Sequence, residues 1–335
     1  MKFKPKEIIK LLVLFGITAV IIWYLFRDIP WMDVVETVKG FNYWWIGLSM
    51  FLGILSHFLR AWRWKLMLDA SNKNVWLWNS FFAVMIGYLA NSVIPRLGEI
   101  TRCGVMNRKE KVSVPYALGT VITERLIDLV MLGIVTAITI LSQLGLLGDF
   151  FKEKAESVTA FLSSNWWLLV VCGLIFIGAI WFWRSDKFKE SAFFSKIRDL
   201  ISQGIDGLRS VQRTKNPTGF WLSTLGIWVL YFVMLWVITL GSPETKDLGP
   251  LAGLSILVMG TFGMASPTPN GLGTFHFFVA SVLVLYGLEY EKGVIIATVM
   301  HTSQFITILI WGSLSLLLVN YLKPKVNGDT GENKG

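Results

Sequence analysis

Charged residues at helical spacing interrupt apolar sequence at two places in the first half of the chain. In Pro95-Arg96-Leu97-Gly98-Glu99-Ile100-Thr101-Arg102 the charges fall three apart. On a helix that spacing puts Arg96, Glu99 and Arg102 on one face. In Thr123-Glu124-Arg125-Leu126-Ile127-Asp128 the charges open a long apolar run, and Glu124, Arg125 and Asp128 are helical neighbours at three and four residues. A charge at the centre of a membrane helix costs about 2.5–3.5 kcal/mol even on the lenient insertion scale. Six such residues are tolerated when they pair or face water, and three arginines balance three carboxylates. The functional reading gives the arginines an anionic group, because a guanidinium binds phosphate in a forked, two-point manner. The structural reading is a set of ion pairs that fixes helices together.

The second half supplies backbone instead of charge. Ser266-Pro267-Thr268-Pro269-Asn270-Gly271-Leu272-Gly273-Thr274 breaks an apolar stretch, as Asn91-Ser92-Val93-Ile94-Pro95 does earlier. Proline lacks the amide donor and glycine relaxes the backbone, so neither stretch continues as one helix. A helix restarting after Pro269, Asn270, Gly271 and Gly273 would present free amides, which attract anions. His276 lies in its first turn, as a proton acceptor or as a satisfied polar residue. His301 and Gln304, on the last apolar segment, are weaker candidates for the same cavity. Arg60, Arg63 and Lys65 flank Trp62 and Trp64 and read as interfacial anchors, with a headgroup role as the lesser alternative.

The elements that position these residues are membrane helices. The chain has 335 residues, is 54% hydrophobic and only 16% charged, with a mean hydropathy of +0.58. That is too apolar for an ordinary soluble domain. The net charge of +9 reflects basic residues at segment ends, where orientation in a bilayer explains them better than nucleic acid does. Cys103 and Cys172 make neither a disulfide framework nor a zinc cluster. Apolar segments fall at about 8–26, 43–59, 76–94, 116–141, 166–183, 218–241, 251–266, 275–288 and 294–321. The first follows a lysine-rich start without a small-residue cleavage site, so it reads as an uncleaved span.

Loop charge sets the sides. Lysines at 2, 4, 6 and 10 place the N-terminus in the cytoplasm. Basic residues both precede and follow 76–94, and acidic residues both precede and follow the pair 251–266 and 275–288. Each segment pair therefore returns to the side from which it entered. The reading is an all-α, polytopic membrane protein with six spanning helices and two opposed, broken re-entrant hairpins, an inverted repeat. The alternative makes both breaks surface loops. Residues 1–322 form the membrane domain, a multi-pass domain of the cell (inner) membrane with both termini expected on the cytoplasmic side. Residues 184–217 carry an amphipathic cytoplasmic segment or a solvated linker helix, and 323–335 form a disordered tail.

These motifs resemble the flippase-like family named after the lysylphosphatidylglycerol synthase membrane region. The resemblance rests on Pro95-Arg96-Leu97-Gly98-Glu99 with Arg102, on Glu124-Arg125-Leu126-Ile127-Asp128, and on Pro267-Thr268-Pro269-Asn270-Gly271-Leu272-Gly273. It covers nearly the whole chain. Asn270 stands where the family usually has a second glycine, and His276 where it often has a carboxylate. The resemblance implies lipid translocation between leaflets, with Arg96, Glu99, Arg102, Glu124, Arg125 and Asp128 on the matching motif positions. It does not imply lysyl transfer. The expected partner is a membrane lipid with an anionic headgroup, such as a phospholipid or a polyprenyl phosphate. No cofactor and no nucleic acid are expected, and self-association or docking on a lipid-biosynthesis protein stays open. No nucleotide-binding loop is present, so uphill movement needs an ion gradient, a partner or one-sided supply. Two rival readings remain: a membrane transferase with Glu99, Glu124 or Asp128 as general base, and a non-catalytic scaffold.

Overall fold

The computed structural model describes residue 16 and residues 18–71, 74–144, 209–266 and 268–321. Apart from a helical stretch at 18–26, the α-helices are α1 (Trp31–Gly40), α2 (Tyr43–Asp69), α3 (Leu77–Val93), α4 (Leu97–Glu110), α5 (Val114–Ser142), α6 (Pro217–Thr239), α7 (Pro250–Ala265), α8 (Thr274–Leu285) and α9 (Tyr290–Tyr321). No strand occurs among the described residues. Among the described residues four helices, α2, α5, α6 and α9, are long and apolar enough to cross a membrane. Of the six expected spans, 166–183 lies outside the described residues and 8–26 lies only partly within them. The expected amphipathic segment is described only from Arg209, where a short 3-10 turn, Arg209–Val211, leads into α6.

The long helices are amphipathic in the sense opposite to that of a soluble protein. On α2 the buried residues Ser49, Gly53, Ser56, His57, Arg60, Arg63, Trp64 and Met67 make one mostly polar stripe, while Trp44 and Phe51 are 75% and 61% exposed. On α5, Thr120, Thr123 and Glu124 are buried, and Ile122, Leu126, Leu129, Val130, Ile134, Ile138 and Leu141 point outward. An outward apolar face of that extent is an aggregation hazard in water and the natural lipid-facing surface in a bilayer. Trp44 lies in the first turn of α2, where the N-cap Asn42 side chain accepts its amide at 3.1 Å.

The two halves repeat one order: long helix, short helix, break, short helix, long helix. In the first, α2 leads to α3 and α4 and then to α5; in the second, α6 leads to α7 and α8 and then to α9. The short arms have 17, 14, 16 and 12 residues, or roughly 18–26 Å at about 1.5 Å per residue. A hydrocarbon core of roughly 30 Å is thicker. In each pair the arms touch through glycine. A Cβ on Gly98 would lie 2.1 Å from the Gly87 carbonyl oxygen, and one on Gly263 would lie 2.6 Å from Phe275 Cα. Neither position admits a side chain while the arms stay together.

The breaks are closed locally. Arg96 takes the left-handed conformation, φ 66°, after Pro95, and the Gly98 amide donates to Asn91 Oδ1 at 2.6 Å. In the second break Asn270, Gly271 and Gly273 all have positive φ, which suits glycine and, next best, asparagine. Thr274 Oγ1 donates to the Gly263 and Gly271 carbonyls at 2.8 and 3.1 Å.

Candidate functional site

Glu124, wholly buried on α5, is the hub of the site. Arg60 Nη1 donates to its Oε1 at 2.6 Å. Arg63 Nη2 stands 3.5 Å from the same oxygen, and Arg102 Nη1 approaches Oε2 at 3.0 Å. Asp128, one turn on, accepts from Arg60 Nη2 at 3.0 Å and from Arg63 Nη2 at 2.8 Å. Arg60 also donates through Nε to Tyr231 Oη on α6. The Arg102 guanidinium lies 4.7 Å from the Trp64 ring centroid, and Trp64 is itself tied to Thr120 Oγ1 at 2.9 Å. Beside this cluster Arg125 Nη2 donates to Glu99 Oε1 at 3.0 Å. Helices α2, α4, α5 and α6 thus meet on one set of charges.

Two expectations about these residues need correction. Arg60 and Arg63 are not interfacial anchors: they are 4% and 0% exposed and hold the two carboxylates of α5. The segment expected to end at residue 59 continues as helix to Asp69. That carries the buried face of His57 further along the helix and takes the arginines with it. Nor do three arginines balance three carboxylates. Arg60, Arg63 and Arg102 share Glu124 and Asp128, and Arg125 pairs with Glu99, so the interacting groups hold one positive charge in excess. Several atoms also lack a hydrogen-bond partner among the described residues: Arg63 Nε, Arg102 Nη2, Glu99 Oε2 and Glu124 Oε2, whose contact with Arg102 is ionic and poorly aligned. A cavity of about 10 Å³ bordered by Glu99, Arg102 and Arg125 has room for about one water.

The expected common face divides. Glu99 and Arg102 both turn toward α5, whereas Arg96 sits ahead of the helix, exposed and without an ion pair among the described residues. Lys65 is likewise apart from the cluster, paired with Asp69 at the end of α2.

The second break reaches the first. Asn270 Nδ2 donates to Ser92 Oγ at 3.2 Å, and its carbonyl oxygen is 2.9 Å from His301 Nε2. Since a carbonyl only accepts, His301 donates there. His276 lies against His301, ring centroids 4.9 Å apart with the rings tilted by 50°, and its Nδ1 accepts the Gly273 amide at 3.3 Å. One of the amides expected to be free for an anion is therefore capped by His276. Pro269 and Gly271 are buried parts of the turn. Gln304 is engaged with Ser49 Oγ at 3.0 Å.

Both halves enclose a cavity of about 360 Å³. Its polar border includes His57, Arg60, Arg125, Asp128, Asn270 and His301; the rest is mainly leucine, methionine and aromatic side chains. Buried arginine beside apolar volume is the surroundings that an amphipathic anion requires.

An all-helical, multi-pass membrane protein, broken once in each half around buried arginines, is the class defined by fold and site. The chain belongs to the lysylphosphatidylglycerol synthase TM region family, which it matches over residues 8–312. It is similar to two UPF0104 membrane proteins of Methanocaldococcus jannaschii. MJ1078 is 24% identical over 245 residues, covering 71% of this chain and 97% of that protein. MJ1595 is 21% identical over 348 aligned residues, covering 98% and 99%. No solved structure matches the chain.

Proposed function

We propose that this protein moves an anionic lipid, a phospholipid or a polyprenyl-phosphate-linked lipid, between the leaflets of the cell membrane. The observation that carries the reading is the excess positive charge at the place where the two breaks meet. Arginines bound to carboxylates would suffice to fasten helices. A group of four arginines and three carboxylates, two of whose arginines, Arg60 and Arg125, border an apolar cavity, calls for an anion that brings hydrocarbon with it.

In this reading α3–α4 and α7–α8 are opposed re-entrant hairpins, entering from the cytoplasmic and outer sides, and six helices span the bilayer with both termini inside. The shortness of the four arms and the repeated element order support it. Arg125, with a half-exposed side chain, receives the phosphate. Arg96, at the tip of the first hairpin, meets it on the way in or out. Glu99, Arg102, Glu124 and Asp128 hold the arginines in place. Pro269, Asn270, Gly271, Gly273 and His276 shape the opposite wall. The transferase reading is weaker, because Glu124 and Asp128 are each engaged by at least two arginines and neither is placed as a general base.

The test is leaflet exchange in vesicles reconstituted with purified protein and labelled lipids. An anionic lipid is expected to exchange faster than in protein-free vesicles. Equal rates for every anionic and lipid-linked sugar probe would end the proposal.

A further inference from the structure

The cavity does not have the lining of a headgroup groove. Leu132, Trp228, Leu235, Leu257, Phe275, Met300 and Ile308 border it, and all are less than a tenth exposed. Its apolar wall is therefore protein interior and not a surface shared with bilayer chains. The rim differs: Leu129 and Met264, 64% and 43% exposed, lie on it together with Arg125. Most of the polar groups inside already have partners, as Arg60, Asn270, His301 and Gln304 do. Two are left over. His57 Nδ1 and Trp228 Nε1 have no hydrogen-bond partner among the described residues, on side chains 8% and 5% exposed. A tryptophan N–H only donates, and a neutral imidazole donates through one nitrogen. Unmet donors in an apolar enclosure are costly until an acceptor arrives.

We infer that the cavity takes the phosphate and the first stretch of chain of a lipid phosphate carrying a single hydrocarbon chain, alkyl or isoprenyl. The inference deepens the translocation reading and rests on it for the identity of the site. The phosphate meets Arg125 at the rim and completes the donors of His57 and Trp228, and the chain lies against Leu257, Phe275 and Met300. About 360 Å³ is near the lower end of ligand pockets, roughly 300–1,000 Å³. It accepts one chain stem with its phosphate; a glycerol carrying two acyl chains exceeds it. An exposed apolar rim lets the chain enter sideways from the bilayer.

Binding of dodecyl phosphate to the purified full chain, by calorimetry in a neutral detergent, tests this. Dodecyl maltoside and dioleoyl phosphatidic acid serve as competitors. Dodecyl phosphate should bind and outcompete both. Arg125→Ala should weaken it at least about tenfold, the order of one charge-assisted contact, and Leu257→Trp, which fills the cavity, should abolish it. Arg125→Lys, the gentler change, should retain part of the affinity and shows that any loss is not one of folding. Displacement by dioleoyl phosphatidic acid as readily as by dodecyl phosphate, or full affinity in both Arg125→Ala and Leu257→Trp, would overturn the inference. Vesicles that exchange only two-chain lipids would also overturn it while leaving the translocation reading intact. Binding without exchange would leave this inference standing and remove the other.

Discussion

Glu124 illustrates what a buried charge does in this molecule. It touches three arginines, so its removal leaves Arg60 and Arg102 partly unpaired in a low-dielectric interior. Breaking such a pair from one side costs about 3–5 kcal/mol. Glu124→Ala should lower the unfolding midpoint in detergent sharply, and a midpoint within error of the parent would show that the cluster does not hold the helices. Of these residues, Glu124, Arg125, Asp128, Glu99 and Arg102 were legible in the sequence, because charge in an apolar run stands out. Arg60 and Arg63 were not, since basic residues after an apolar segment look like a membrane boundary. The signal that could have found them is the stripe Ser49, Gly53, Ser56, His57, which keeps its three- and four-residue spacing through Arg60, Arg63 and Met67. An anchor has no reason to continue a buried face. Their pairing with α5 depends on contacts over 60 residues away, and no local pattern encodes those.

At the scale of elements, the breaks explain how short helices coexist with long ones. Gly87 and Gly98 let α3 and α4 approach until backbone meets backbone. Gly98→Leu should spread the arms and reduce the yield of folded, monodisperse protein; an unchanged elution profile and midpoint would contradict the close packing. The contact between the breaks is separately testable. With Ser92→Cys and Asn270→Cys, whose parent side chains hydrogen-bond, a short thiol cross-linker should join the two halves so that a protease cut in 145–208 no longer separates them on a denaturing gel. Separation despite linker treatment would place the breaks apart. Proline and glycine made both breaks visible in the sequence. The short amphipathic helix Trp31–Gly40 was not expected, because its ten residues fall in a mixed-charge loop without an apolar run.

For the whole molecule, membrane character was legible from composition alone, and the family match and the four long apolar helices agree with it. The side on which each hairpin opens rests on the charges of loops. Single cysteines at Lys111 and Asp247, exposed residues at the open ends of the two hairpins, in a background with both native cysteines replaced, should react with a membrane-impermeant thiol reagent from opposite faces of sealed, oriented vesicles. Labelling from the same face would remove the inverted repeat. The central claim is that the net positive charge of the cluster, with Arg125 at its accessible edge, serves an anionic lipid and not the fold. Arg125 is the arginine that separates the two roles, because its side chain is the most exposed of the four, 47% against 24% for its partner Glu99, and a pair open to solvent contributes about 1 kcal/mol or less to stability. The most direct measurement is anionic-lipid exchange by Arg125→Ala in vesicles, alongside its unfolding midpoint. The account predicts a nearly unchanged midpoint with exchange reduced at least about tenfold, the order of one lost charge-assisted contact. Exchange at the parent rate would contradict it.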